Sequence, residues 1–166
     1  MKIQVGGLAD GIYNYRLAAD SASLDLDERF NNQVVVDATV EKSGTQVFLS
    51  AEVVANASFE CDRCLAPFLS PLRPSYRMYY VTEENADTNI DSLELQIVPP
   101  GFSVIDLYDD VRQTVLLSVP FKLLCLERCK GLCPQCGINW NLESCNCEEQ
   151  AVDPRWEQLI RLKKQT

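Results

Sequence analysis

The stretch 125-CLERCKGLCPQCGINWNLESCNC-147 holds six of the chain's eight cysteines, and how those thiols are used decides what the fold must accommodate. They fall in close pairs: Cys125 with Cys129, Cys133 with Cys136, and Cys145 with Cys147. A fourth pair, Cys61 and Cys64, lies upstream in 61-CDRC-64. Thiolates this dense are either cross-linked or bound to metal, and the redox compartment separates the two cases. The start of the chain, MKIQVGGLADGIYNY, has neither an apolar h-region nor a small-residue cleavage site, so no signal peptide is expected. No apolar run is long enough for a transmembrane helix. A cytoplasmic location is therefore expected, and in a reducing cytosol clustered cysteine pairs serve as metal ligands more often than as disulfides.

Working outward, the local chemistry of each pair differs. Cys133-Pro134-Gln135-Cys136-Gly137 is the strongest signal. A Cys-x-x-Cys turn aims both sulfurs at one ion, and glycine after the second cysteine tolerates the positive φ that such a turn needs. Cys61 and Cys64 share the spacing but are followed by Leu65. Cys125 and Cys129 fit one helical turn or an irregular loop. Cys145-Asn146-Cys147 needs a bend to bring its sulfurs together, which a left-handed Asn146 would supply. Closing the shortest loop pairs Cys133/Cys136 with Cys145/Cys147 and leaves Cys61/Cys64 with Cys125/Cys129, giving two zinc sites. The alternative is one zinc held by Cys125, Cys129, Cys133 and Cys136.

The chain has no histidine. Catalytic zinc sites usually employ histidine and keep one position open, whereas all-cysteine tetrahedral sites are closed and structural. A histidine general base, a Ser-His-Asp triad and a Cys-His dyad are excluded outright. A thioredoxin-like role for Cys61 and Cys64 would need a helix N-terminus, and Ala57-Ser58-Phe59-Glu60 reads as a strand entering a turn. Gly6-Gly7 is not a phosphate-binding loop, and no dinucleotide fingerprint is present. No enzymatic activity is expected.

The rest of the chain reads as α+β: mainly antiparallel β-sheet or a partly open barrel, with two helices and the C-terminal Cys-rich segment. Val34 to Val40 and Gln46 to Val54, joined by Lys42-Ser43-Gly44, predict a hairpin. Tyr13 to Leu17, Leu24 to Leu26 and Tyr76 to Val81 read as further strands, with Pro67, Pro71 and Pro74 interrupting the chain before the last of them. Thr82 to Asn89 is acidic and polar and reads as an exposed loop. A helix is expected over about 106–118, with Leu107, Val111, Val115 and Leu116 on one face and Pro120 ending it. A second helix is expected after Asp153 and Pro154, carrying Trp156, Leu159 and Ile160. Residues 1–120 would form a β-rich domain with one helix, and residues 121–166 a zinc-binding segment plus the C-terminal helix, packed as one unit with the first.

Charge is unevenly spread. The formal net charge is −9, but residues 1–120 carry 8 basic and 18 acidic side chains while residues 121–166 carry 7 and 6. Each four-cysteine zinc site adds a further −2. This is no footprint for non-specific nucleic-acid binding.

The segments CDRCLAPF (61–68), IDLYDDV (105–111), LLSVP (116–120), CKGLCPQCG (129–137) and DPRWEQL (153–159) resemble the YceD-like family, the large ribosomal RNA subunit accumulation proteins. The resemblance runs in order along nearly the whole chain. It implies a bacterial or plastid protein, cytoplasmic or stromal, needed for normal levels of large-subunit (23S) ribosomal RNA. It implies a role in ribosome biogenesis, through assembly or RNA maturation, and no catalytic residue. Some members keep the CxRC pair but lack most C-terminal cysteines, which implies an accessory staple at 133–147. The expected partners are large-subunit ribosomal RNA precursor, basic ribosomal proteins or both, without membrane or small-molecule substrate. On charge, Lys122, Arg128, Lys130, Arg155, Arg161, Lys163 and Lys164 are the candidate RNA or partner contacts. The alternatives are a protein–protein adaptor without RNA contact and a CxxC redox protein.

Overall fold

The computed structural model describes residues 1–30, 32–82, 94–147 and 154–156. The chain divides into two compact units, Met1–Asp62 with Ala66–Cys125, and Arg63–Leu65 with Leu126–Thr166.

The first unit contains strands β1 (Lys2–Gln4), β2 (Gly11–Asp20), β3 (Gln33–Ser43), β4 (Gln46–Glu60), β5 (Pro67–Leu72), β6 (Ser75–Val81), β7 (Leu95–Ile97) and β8 (Val104–Asp106), and helix α1 (Tyr108–Leu117). Alternation builds the centre of the sheet. In β3, Val34, Val36, Ala38 and Val40 are buried, and in β4 so is every second residue from Val47 to Phe59. The two strands form the hairpin the sequence predicts, paired from Val35↔Val54 to Ser43↔Gln46, but the turn is Gly44-Thr45 because Lys42 and Ser43, expected in it, still pair within β3. Gly44 has φ +58, and its N–H donates to the Asp10 carboxylate at 2.9 Å. Antiparallel β2 extends the sheet beyond β3, and β7 extends it beyond β6 in parallel.

β4 is the spine. On one side it pairs with β6 through Val47–Glu52 and with β5 through Ala55–Glu60, in a single unbroken register. The three prolines were expected to interrupt this region, yet two of them lie inside β5, and parity explains why. Cys61 N–H donates to Ala66 O at 3.0 Å and Val53 N–H to Pro74 O at 2.8 Å, so the even-numbered residues 66–74 face β4 with their hydrogen-bonding groups. Pro67 and Pro71 are odd, and the N–H they lack would point away from β4. Pro74 is even, so it removes a ladder donor, and the strand breaks there into β5 and β6.

One face of this sheet buries the core. Of the residues predicted on one face of the helix, Leu107, Val111 and Val115 are fully buried and Leu116 is half-buried, and α1 packs on β4 and β6. At the helix start the Asp106 carboxylate accepts the Tyr108 N–H at 3.1 Å, while Leu107 at the N-cap position offers no side-chain cap; the helix ends at Leu117, before Pro120. Ile3 and Ile105 enter the same core from a separate β1–β8 ribbon.

Several expectations change. Leu24 to Leu26 is not a strand. Ser21–Leu24 is a 3₁₀ turn in which the Ser23 hydroxyl donates to Asp20 O at 2.7 Å, and left-handed Asp25 (φ +48) follows it, with both leucines in the core. Among the described residues the fold is mostly β-sheet with one α-helix and no closed barrel. Of the expected second helix only Pro154–Trp156 is described, as a 3₁₀ turn; the rest lies outside the described residues, as does the 82–89 loop beyond Thr82.

Candidate metal centres

The loop between β4 and β5 is the first cysteine knuckle. β4 ends at Glu60 and β5 begins at Pro67, so Cys61 and Cys64 sit in the hairpin connection, at a strand end and not at a helix N-terminus. The second knuckle repeats this design. Leu132 bridges Asn139 in antiparallel fashion, and Cys133–Ile138 forms the connection. Cys133 N–H donates to Ile138 O at 2.9 Å, five residues on, as Cys61 does to Ala66. The fifth residue of each loop is left-handed: Gly137 at φ +74, as glycine permits, and Leu65 at φ +56. Leu65 therefore adopts a conformation in which an L side chain is strained, while 57% of its surface stays exposed.

Contacts inside each unit bring the distant pairs to the first knuckle. In the first unit Asp62 N–H donates to Leu123 O at 2.8 Å while its carboxylate accepts the Leu123 N–H at 2.7 Å, which holds the chain leading to Cys125 beside Cys61. In the second unit an Arg63 Nη1–H donates to Cys129 O at 2.7 Å. Gly131 (φ +80) lies so close that a Cβ there would stand 3.1 Å from Arg63 O. Cys125 and Cys129 lie in an irregular turn closed by Cys129 N–H to Leu126 O at 3.0 Å, not in a helix.

The sulfurs converge in two groups of four: Cys61, Cys64, Cys125 and Cys129, and Cys133, Cys136, Cys145 and Cys147, each with all its sulfurs within 4.8 Å of one another. This is the partition favoured by the shortest loop closure. No disulfide joins any of the eight cysteines. Tetrahedral zinc, with Zn–S bonds of about 2.3 Å, places its sulfurs roughly 3.8 Å apart, so both groups can hold a metal ion and are compatible with zinc. The first group is enclosed, with Cys61, Cys64 and Cys129 buried and Cys125 half-buried; in the second only Cys133 is buried, and Cys136 and Cys147 are exposed.

Donors surround the sulfurs. Asn141 Nδ2–H donates to Cys129 Sγ at 3.2 Å, and the Trp140 indole N–H to Cys145 Sγ at 3.4 Å. Without metal, the Trp140 N–H, followed by the backbone N–H of Cys147, lowers the Cys145 thiol to about 6. Hydrogen bonding with Cys136, then desolvation and the other thiols, raises Cys147 to about 12. The left-handed residue expected at Asn146 is not found, since Asp25 and Leu65 are the positive-φ non-glycine residues among those described.

Among the candidate contact cations, Arg128 and Lys130 are exposed on either side of Cys129, and Lys122 and Arg155 are exposed as well. Arg161, Lys163 and Lys164 lie outside the described residues. The sequence reading missed Asp62, Arg63, Gly131, Trp140 and Asn141. Their proximity to the cysteines was the available signal, but their role depends on which pairs meet.

The family model described as "Large ribosomal RNA subunit accumulation protein YceD" matches residues 49–163, a span that contains both cysteine groups. An uncharacterized protein of Mycobacterium tuberculosis is 31% identical over 76% of this chain, and the chain covers 60% of that protein's length. The protein YlbN of Bacillus subtilis is 27% identical over 86% of this chain and 81% of its own. A chloroplastic YCED homolog 1 of Arabidopsis thaliana, named a large ribosomal RNA subunit accumulation protein, is 32% identical over 48% of this chain and 25% of its own. No solved structure matches the chain. The chain belongs to the YceD family.

Proposed function

We propose that this YceD-family protein is a non-enzymatic, zinc-stapled factor that supports accumulation and maturation of large-subunit (23S) ribosomal RNA and assembly of the large subunit. The observation that carries the reading is the family match over residues 49–163, whose name speaks of large ribosomal RNA subunit accumulation and whose span contains both cysteine groups. The plant relatives named for large-subunit RNA accumulation support it. Zinc in both groups is supported by the four-sulfur geometry. A non-enzymatic role is supported by the lack of histidine, because sites closed by four thiolates leave no position for substrate or water.

The division of labour follows charge. Acidic residues 1–120 contact basic ribosomal protein, and Lys122, Arg128, Lys130, Arg155, Arg161, Lys163 and Lys164 contact RNA. The protein works without a membrane, in the cytoplasm or the plastid stroma; no helix among the described residues is long and apolar enough to cross one. The test is crosslinking of RNA to the protein in native particles, with large-subunit RNA levels measured after depletion. Crosslinks at Arg128 and Lys130, and loss of the RNA restored by wild type but not by Arg128→Glu with Lys130→Glu, are the expected results.

A second reading, an adaptor that binds protein only, is favoured by the outer face of the sheet. There a shallow groove of about 420 Å³ is lined by Asn14, Arg16, Asp37, Thr39, Ser50 and Glu52. Particle association without any RNA crosslink would select it.

A further inference from the structure

Residues 139-NWN-141 run back from the second knuckle, and two of their side chains reach sulfurs of different groups. Trp140 donates to Cys145 at 3.4 Å and Asn141 to Cys129 at 3.2 Å. The segment is held as one piece. Trp140 N–H donates to Gly131 O at 3.0 Å, and the Asn141 side-chain oxygen accepts the Lys130 N–H at 2.8 Å. The Asn139 side-chain oxygen accepts both the Asn141 N–H at 2.9 Å and the Asn141 Nδ2–H at 2.8 Å. An amide or indole N–H on a thiolate draws off negative charge and fixes the sulfur's direction, which is how outer-shell groups tune metal affinity. Four thiolates around one divalent ion leave an excess of two negative charges, so each such donor matters.

We propose that Trp140 and Asn141 are positioning residues for the two metal ions and that they couple the sites. Metal at Cys133, Cys136, Cys145 and Cys147 fixes the hairpin and Trp140, which presents the Asn141 amide to Cys129 and tightens metal binding at Cys61, Cys64, Cys125 and Cys129. Linkage makes the coupling reciprocal. The inference rests on the proposal that both groups bind zinc. The exposed group is thus given a task that its accessibility alone would not suggest: it governs how firmly the enclosed group holds its ion.

The experiment is a double-mutant cycle on zinc affinity at the first group, measured by chelator competition on the full chain. One arm removes the second site with Cys136→Ser and Cys147→Ser, and the other is Asn141→Asp, which keeps an acceptor for the Lys130 N–H but loses the N–H aimed at sulfur. Each arm is expected to weaken zinc binding about 10-fold, within the range for outer-shell and coupling effects, and the combination is expected to cost little more than either arm. Effects that multiply to about 100-fold would overturn the coupling, because independent contributions add in free energy. Cadmium-113 NMR on Asn141→Asp, with every ligand intact, provides a second readout. A displaced resonance for the first group supports the proposal, and two unmoved resonances overturn it. A wild-type chain with no thiolate-bound cadmium at all would instead overturn the zinc reading on which it rests.

Discussion

Leu65 and Gly137 occupy the same place in two loops, and the energetic consequence differs because one has a side chain. The left-handed region costs a non-glycine residue about 1–2 kcal/mol, partly offset in a Leu65→Gly chain by glycine's greater entropy loss on folding. Leu65→Gly is therefore expected to be neutral or stabilising by up to about 1 kcal/mol, and Leu65→Val, β-branched at positive φ, to destabilise by about 1–2 kcal/mol. Urea midpoints of the metal-saturated variants check this. At Gly131, φ +80 combines with a Cβ position 3.1 Å from backbone Arg63 O. Gly131→Ala should cost about 2 kcal/mol or more by denaturant unfolding, and should loosen the Arg63 contact to Cys129, so that metal is lost faster to a chelator. At this scale the sequence told half the story. Gly137 after Cys136 announced its turn, whereas nothing in Leu65 signals a left-handed residue, because only closure of the β4–β5 hairpin imposes it.

Elements were legible where their causes are local. The β3–β4 hairpin follows from alternation and a glycine turn, and α1 from its apolar stripe and the following proline. The three-residue strands β1, β7 and β8 carry no period long enough to read, and their partners are distant in sequence or join in parallel. Pro67 and Pro71 looked like breakers because their harmlessness depends on parity against β4, which no window of β5 alone contains. Core burial sets the cost of damage to the spine: Leu49, fully buried in β4, should lose about 2–5 kcal/mol on Leu49→Ala, measurable by denaturant unfolding. In α1, burial first and then Asp109 and Asp106 raise the Asp110 carboxyl above its ordinary value of 3.8. The folded state therefore binds that proton more tightly than the unfolded state. Stability falls as pH rises from the ordinary value through the raised one, and the ionised carboxylate remains a liability above it. Asp110→Asn should raise the melting temperature at pH 7, with the advantage shrinking as pH falls into the carboxylate range; an advantage independent of pH would contradict this.

At the scale of the molecule, metal chemistry and charge belong together. Zinc in both four-cysteine groups would make the holo-protein about −4 more acidic than its formal −9. The cysteine pattern predicted the two groups of four sulfurs that the structure brings together, because loop closure is a property of the sequence. Which units supply the supporting contacts was not legible, since Asp62, Arg63 and Asn141 acquire their roles only once the pairs have met. The most direct test of the account is zinc stoichiometry by native mass spectrometry on protein purified from its own host under reducing conditions. The account predicts two zinc ions per chain, and one after Cys133→Ser with Cys136→Ser. A single zinc in the wild-type chain, or disulfides in place of metal, would contradict it.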